Sequence, residues 1–400
     1  MRTLFVVLPI VALPLAGCGP GEASAAARWA GTADTLPDGR VVVTNPATGV
    51  WDSTSAWRVE EDLRIGTMDG TGPDLFGRIT DLAVDAAGRI WVLEGQAQEL
   101  RLFDAAGHHV RTIGRKGSGP GEFSQAIGMD WGPDGNLWVV DPQNNRISVI
   151  DTAGTFVRSH TTIGGFIIMP WPGGFDDQGY FYNFVPLRSE ERFRSALVRY
   201  DTALTPLDTI QPPRYEGPEN FFELRSDRGF MRAGVPFSPG LRTRLHPEGK
   251  FWALSTGDYR LLEMSFAGDT LRSISRAFEP LPVTGQDIDN AIAGMEWFVR
   301  QGGKVDRSKF PGTKPPVTNF AVDDVGNVWV ALQDSGDRED AALVDVFDGV
   351  GRYLGALRVP FASQWGRGPL IRDDLMYAVT QDELEVPYVV RARILKPERP

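Results

Sequence analysis

Residues 133–154 read PDGNLWVVDPQNNRISVIDTAG. A Pro-Asp-Gly turn leads into an apolar run that holds Trp138. A polar corner ending in Asn-Arg follows, then a second apolar run and an Asp-Thr-Ala-Gly turn. Short apolar runs rich in β-branched and aromatic residues, bounded by Gly and Asp, are strands. The turn glycines supply the positive φ that a tight hairpin needs. Trp138 has two readings, a ligand platform or a packing residue. Large aromatics on strands of this kind are mostly core, and packing is the reading adopted.

The stretch is half of a unit that the chain writes twice. Residues 66–103 align with 113–150 without a gap. Gly70-Thr71-Gly72-Pro73 falls on Gly117-Ser118-Gly119-Pro120, Phe76 on Phe123, Gly88 on Gly135 and Trp91 on Trp138. Fainter copies place Phe181, Trp252, Trp329 and Tyr377 at the same aromatic position. Neighbouring markers lie roughly 40–50 residues apart, the blade period of a propeller. The two longer intervals, 181 to 252 and 252 to 329, are too short for a further blade and read as insertions. One such sheet cannot bury both faces, but six stacked around an axis can. Trp91, Trp138, Trp252 and Trp329 are then structural residues between blades. The expected fold is all-β, a six-bladed propeller over residues 38–400. Its insertions are expected at 215–242 and 284–316. Residues 370–396 offer only two or three strands, so residues 56–66 should complete the C-terminal blade and remove its open edge.

The unit at 117–158 resembles the NHL repeat, down to the corner Asp141, Asn144, Arg146 and Ile147. The resemblance is strong over two units and fades elsewhere. It implies that Asp141 and Arg146 are structural and pair to pin the corner. The whole chain resembles the uncharacterised six-bladed propeller lipoproteins of bacteria (NHL/TolB-like).

The first residues, MRTLFVVLPIVALPLAGC, have one positive charge, a short apolar stretch and then small residues, the layout of a secretory signal. Leu15-Ala16-Gly17-Cys18 resembles the bacterial lipobox, which implies cleavage before Cys18 and transfer of a diacylglycerol to its thiol. Cys18 is the single cysteine of the chain. The alternative is an ordinary signal cleaved after Ala23-Ser24-Ala25. Residues 1–18 are thus a lipoprotein signal and 19–37 a flexible tether. The expected location is the cell envelope, membrane-anchored and facing the periplasm or exterior. Gly19 in place of the family's Asp favours the outer membrane.

The net charge of −11 argues against a nucleic-acid surface spread over the molecule. Both insertions fall between blades, on the face that also carries the loops joining second to third strands. Residues 215–242 are aromatic and basic. Residues 284–301 read as a helix capped by Thr284 or Asp287, with Ile288, Ile292, Met295 and Phe298 or Val299 as its apolar stripe. A basic stretch with Arg300, Lys304, Arg307, Lys309 and Lys314 follows. The candidate ligand-binding residues are Arg188, Phe222, Arg225, Arg228, Trp297, Arg300 and Lys304. They would form a lid for an unknown protein, peptide or saccharide. The competing reading has these apolar groups packing the insertions down and the cations solvated.

No catalytic residue is nominated. The four histidines show no zinc spacing, and His108, His109 and His246 sit in turns of the opposite face. No nucleophile elbow is present. Propeller lactonases imply a divalent cation held near the channel. Glu94, Asp141, Asn183 and Asp258 are the nearest candidates by topology, and Asp334, Asp337 and Asp340 a weak calcium-like run. No metal and no cofactor are expected. The chain reads as a binding scaffold on a membrane anchor, the alternative being a metal-dependent propeller hydrolase, lactonase or lyase.

Overall fold

The computed structural model describes residues 29–162, 171–187, 194–211, 213–217, 220–226, 229–246, 248–333, 341–362 and 368–397. Six antiparallel sheets stand around an axis, each entered by its innermost strand. Blade one consists of Ile79–Val84, Ile90–Glu94, Glu99–Phe103 and His109–Ile113. Blade two consists of Gly128–Trp131, Leu137–Asp141, Arg146–Ile150 and Phe156–Thr161, and blade three of Gly174–Phe175, Phe181–Leu187, Arg194–Tyr200 and Pro206–Ile210. Blade four has Leu241–His246, Lys250–Ser255, Arg260–Met264 and Thr270–Arg276. Blade five has Val317–Val322, Val328–Leu332, Ala342–Phe347 and Tyr353–Val359. In blade six Leu370–Arg372, Leu375–Gln381 and Pro387–Leu395 are joined by Arg58–Ile65 from the other end of the chain. This is the expected closure: an edge that would template aggregation is paired instead.

The turns explain much of the acidity. Asp85 accepts from the amides of Ala87 and Arg89, both at 3.0 Å. Asp104, Asp151, Asp201 and Asp348 do the same for the amides two and four residues on. Each short carboxylate replaces a backbone partner that the turn lacks. Gly88, with φ of 75°, closes the first of these turns where a side chain would be strained.

The marker aromatics lie between blades. Trp91 packs with Leu137, Val139 and Ile150 of blade two. Trp252 packs with blade five, and Trp329 with blade six. Trp138 is 1% exposed and packs with Phe175, Phe181 and Val198 of blade three, so it is a packing residue. Blade three corrects the alignment. Phe181 belongs to this same cluster and faces backward, to blade two. The residue three beyond the turn glycine, where blades one, two, four and five carry Trp, is Tyr182, which packs with Phe251 of blade four. The side-chain period of a strand is two, so a register error of one residue selects the opposite face. The hydrogen bonds agree: the Tyr182 hydroxyl donates to Asp176 at 2.8 Å. Trp91 and Trp329 donate Nε1–H to Asp85 and Asp323 at 3.2 and 3.1 Å.

Blade four is wider than expected. Thr32–Thr35 and Val41–Asn45 form a hairpin whose second strand pairs in parallel with Thr270–Arg276, giving six strands. The tether expected over 19–37 is therefore cut short, and residues 19–28 lie outside the described residues. Asn45, 1% exposed, holds the addition. It accepts from Trp29 Nε1 and the Tyr353 amide, both at 2.8 Å, and donates to the carbonyls of Ser275 and Gly351.

The insertions form a satellite module. Phe221–Ser226 and Gly229–Gly234 make a hairpin between blades three and four. Between blades four and five lie helices α1 (Gly285–Ala293) and α2 (Glu296–Arg300). Thr284 caps α1, its hydroxyl accepting from the Asp287 amide while Asp287 answers to the Thr284 amide. The expected single helix breaks at Gly294. Met295 and Phe298 are buried and Val299 is exposed, which settles the alternative in the stripe.

Candidate functional site

The insertion residues nominated from sequence do not converge on one pocket. Phe222 is 2% exposed in a core with Ala233, Val235, Met295 and Phe298, so it holds the module together. The other hairpin face points outward, where Arg225 and Arg232 flank the Phe230 ring at 5.2 and 5.1 Å. Trp297 is about half exposed beside Phe298. Arg300 pairs with Glu296 at 3.1 Å, and Lys304 is exposed. Farther along, Arg307 pairs with Asp289 and Lys314 with Asp287, both at 2.7 Å, and Lys309 donates to the Phe221 carbonyl. Arg300, Arg307 and Lys314 thus brace the helical insertion internally, and Lys309 ties it to the hairpin. Cys18, Arg188, Arg228, Asp334, Asp337 and Asp340 lie outside the described residues.

The corner carboxylates are taken by the backbone. Glu94, fully buried, accepts from the amides of Gly77, Arg78 and Ala97. Asp141, also fully buried, accepts from the Ser124 and Gln125 amides at 2.9 Å and from Asn144 Nδ2 at 2.7 Å. Arg146 does not pair with Asp141, contrary to expectation. Its guanidinium donates to the carbonyls of Ser118, Gly119 and Glu122. The two residues grip the Gly-x-Gly-Pro loop separately, one through its amides and one through its carbonyls. Asn183 accepts from Trp171 Nε1 at 2.9 Å, and Asp258 pairs with Arg260. Among the described residues no group of three or more His, Cys, Asp or Glu is placed to hold a metal.

A cavity of about 500 Å³ lies elsewhere, in the central channel. Its walls are the first strands of blades two to six and the turns that leave them. Those turns belong to the face opposite the interblade loops, so the insertions line no part of it. Polar side chains staple the channel wall from blade to blade. Asp81 accepts from the Met129 amide and Asp130 from the Phe175 amide, both at 2.8 Å. Arg244 donates to Asn319 at 2.8 Å, Asp324 accepts from the Asp373 amide at 2.8 Å, and Arg372 donates to the Asp85 carbonyl at 2.6 Å. Five joints between blades carry such a link. Asp81 and Asn319 sit where the register of the first strand shifts, the bulge aiming their side chains along the channel wall.

The rim adds groups that are not structural staples. Asp177, Glu248 and His246 stand at the turns of blades three and four. His246 occupies the place of the turn Asp of blades one, three and five, three residues before Gly249. Burial holds its pKa below the ordinary histidine value, with Glu248 and Lys250 acting in opposite senses, so the ring is neutral near pH 7. Glu248 pairs with Lys250 at 2.9 Å, which lowers its pKa. The carboxylates Asp130, Asp177, Glu248, Asp323 and Asp324 outnumber the guanidinium groups of Arg244 and Arg372 on this lining. The chain's histidine turn was visible in the sequence, but it was set aside because it lay on the face without insertions.

Residues 71–240 match the model of a family described as 6-bladed beta-propeller. No curated protein matches the chain. An exported protein of Bacteroides fragilis has a similar structure, with TM-score 0.51 and 12% identity over 89% of this chain and 100% of that one. A protein of Bacteroides vulgatus gives 0.47 and 11% over 86% and 99%. Virginiamycin B lyase of Staphylococcus aureus gives 0.45 and 9% over 85% and 100%. The family match spans blades one to three and the inserted hairpin. The protein is a six-bladed β-propeller.

Proposed function

We propose that this chain is an exported, lipid-anchored propeller that binds a small polar solute in its channel and does not transform it. The export and the anchor rest on the signal layout and on Leu15-Ala16-Gly17-Cys18. The observation that carries the binding reading is the channel cavity, whose volume is in the range of small-molecule sites. Its lining combines Trp171 and Phe175 with polar groups at the rim. Asp177 and Glu248, the rim carboxylates that hold no staple or turn among the described residues, favour a ligand that carries a positive charge, since low-dielectric walls concentrate the field of either sign. The binding face is then the turn face rather than the insertion face.

The lactonase alternative needs free carboxylates near the channel. Glu94 and Asp141 are occupied by backbone amides, and no described cluster offers a metal a ligand set. The test is a thermal-shift and calorimetric titration of the purified protein with spermidine, glucosamine and ethanolamine, each against its acetylated form. Binding of an amine that is lost on acetylation and weakened by Asp177→Asn with Glu248→Gln supports the reading. Saturable binding indifferent to both changes would refute it, as would turnover of the bound compound.

A further inference from the structure

The insertion module leaves apolar groups uncovered while burying its own core. Phe222, Met295 and Phe298 are closed off, yet Phe230, Trp297 and Val299 stand 53%, 48% and 47% exposed. Exposed aromatics beside cations suit a membrane–water interface, where the ring sits at headgroup depth. Four cations, Arg225, Arg232, Arg300 and Lys304, accompany them against two carboxylates, Glu223 and Glu296, a local balance of +2 on a chain of −11.

The chain's own anchor selects the occupant. The described residues begin at Trp29, whose indole donates to Asn45. Asn45 in turn accepts, through its carbonyl, from the Ala277 amide at 3.1 Å. Ala277 is where the chain leaves blade four for the helical insertion. The tether is therefore rooted beside the base of the module. From Cys18 to Trp29 there are eleven residue steps, which span at most about 40 Å when extended. A bilayer holding the Cys18 lipid cannot be far from the module. Among the described residues no helix is long and apolar enough to cross a membrane, so the contact would be peripheral.

We infer that the insertion module rests on the bilayer that holds the anchor, with Phe230, Trp297 and Val299 at the interface and the channel cavity turned toward solvent. The inference rests on the lipid-anchor reading above. The lipid on Cys18 holds the chain at the bilayer but leaves its orientation free, and a second weak contact fixes that orientation.

The experiment uses the full chain isolated from membranes and reconstituted in vesicles of phosphatidylethanolamine and phosphatidylglycerol. Mass spectrometry first reads the modification on Cys18. Hydrogen exchange then compares the vesicle-bound chain with the Cys18→Ser chain free in solution. Exchange in 229–234 and 295–304 should slow about threefold or more on vesicles, while the turns at 248–250 and 323–327 stay unchanged. The Cys18→Ser chain should bind the same vesicles weakly, and Phe230→Ser with Trp297→Ser should reduce that binding about fivefold or more. An acylated chain with unslowed exchange in the module would overturn this orientation and leave the anchor standing. A Cys18 without acyl groups would overturn the anchor reading itself, and this inference with it.

Discussion

Replacing Asp141 by Ala tests whether the corner carboxylates are structural or functional. Asp141 is fully buried and accepts three short hydrogen bonds, from the amides of Ser124 and Gln125 and from Asn144 Nδ2. Hydrogen bonds to a charged acceptor contribute about 1.5–3 kcal/mol each, so three give a gross loss of about 4.5–9 kcal/mol. Removing the buried charge returns part of its desolvation cost, several kcal/mol. The net loss should be about 3–5 kcal/mol, placed at the loop that carries Phe123 inward. At the roughly 2 °C per kcal/mol expected of a large domain, melting falls by about 6–10 °C. Calorimetry reads the stability and hydrogen exchange locates the change, which should be concentrated in residues 114–126. Asp141→Asn keeps one acceptor and should fall between the two. A loss under about 1 kcal/mol with intact exchange protection, accompanied by loss of any ligand binding or turnover, would show that the structural assignment is mistaken.

Other outcomes follow from the same geometry. Asn45→Ala removes four hydrogen bonds, three of which hold the N-terminal hairpin to blades four and five; it should cost about 2–4 kcal/mol by denaturant titration and expose Thr32–Thr35 to protease. Tyr182→Phe loses the bond to Asp176 and should cost about 1–2 kcal/mol, whereas a variant at Phe181 should loosen the joint with blade two instead. Burial holds the pKa of His160 and His246 below the ordinary value near 6.5. The folded state then binds fewer protons than the unfolded one, so stability is complete above pH 6.5 and falls as pH drops through that value. His246→Gln should flatten part of this slope between pH 7 and 5 in calorimetric melts. Asp134, held at about 2 against the burial that opposes it by Asn136 and Arg158, should keep its contribution throughout that range.

How far the sequence could be read depended on which faces its pattern reports. The blades were legible because five of the six second strands repeat a turn glycine and an aromatic at fixed spacing. The slip between Phe181 and Tyr182 shows the limit of that signal. Blade three offers aromatics at both positions, and only the distance from Gly179 selects the forward face. Closure by Arg58–Ile65 followed from a count of missing strands. The hairpin on blade four was not legible, because its partner strand is more than 200 residues away and the pairing is parallel. The channel cavity was missed for a similar reason. Its lining comes from short runs on five inner strands that share no marker residue to align. The insertions drew attention instead, since aromatic and basic residues cluster there in sequence. Much of that clustering is internal packing.

The acidity of the chain is a poor guide to its ligand, and the reason is physical. Asp85, Asp104, Asp151, Asp201, Asp323 and Asp348 each hold a turn through backbone amides. Glu94 and Asp141 hold the corners. These carboxylates are negative because an ionised acceptor binds amides best, whatever the protein recognises. A functional argument must subtract them and ask what remains near a cavity. On the channel rim what remains is Asp177, Glu248 and the neutral His246 that stands where the repeat would put another turn Asp. Restoring that residue by His246→Asp should strengthen the turn and add charge to the rim at once. Tighter amine binding would show that rim charge sets recognition, whereas raised stability with weakened binding would place His246 as a departure kept for the ligand. Raised stability with binding unchanged would leave it without a part in recognition.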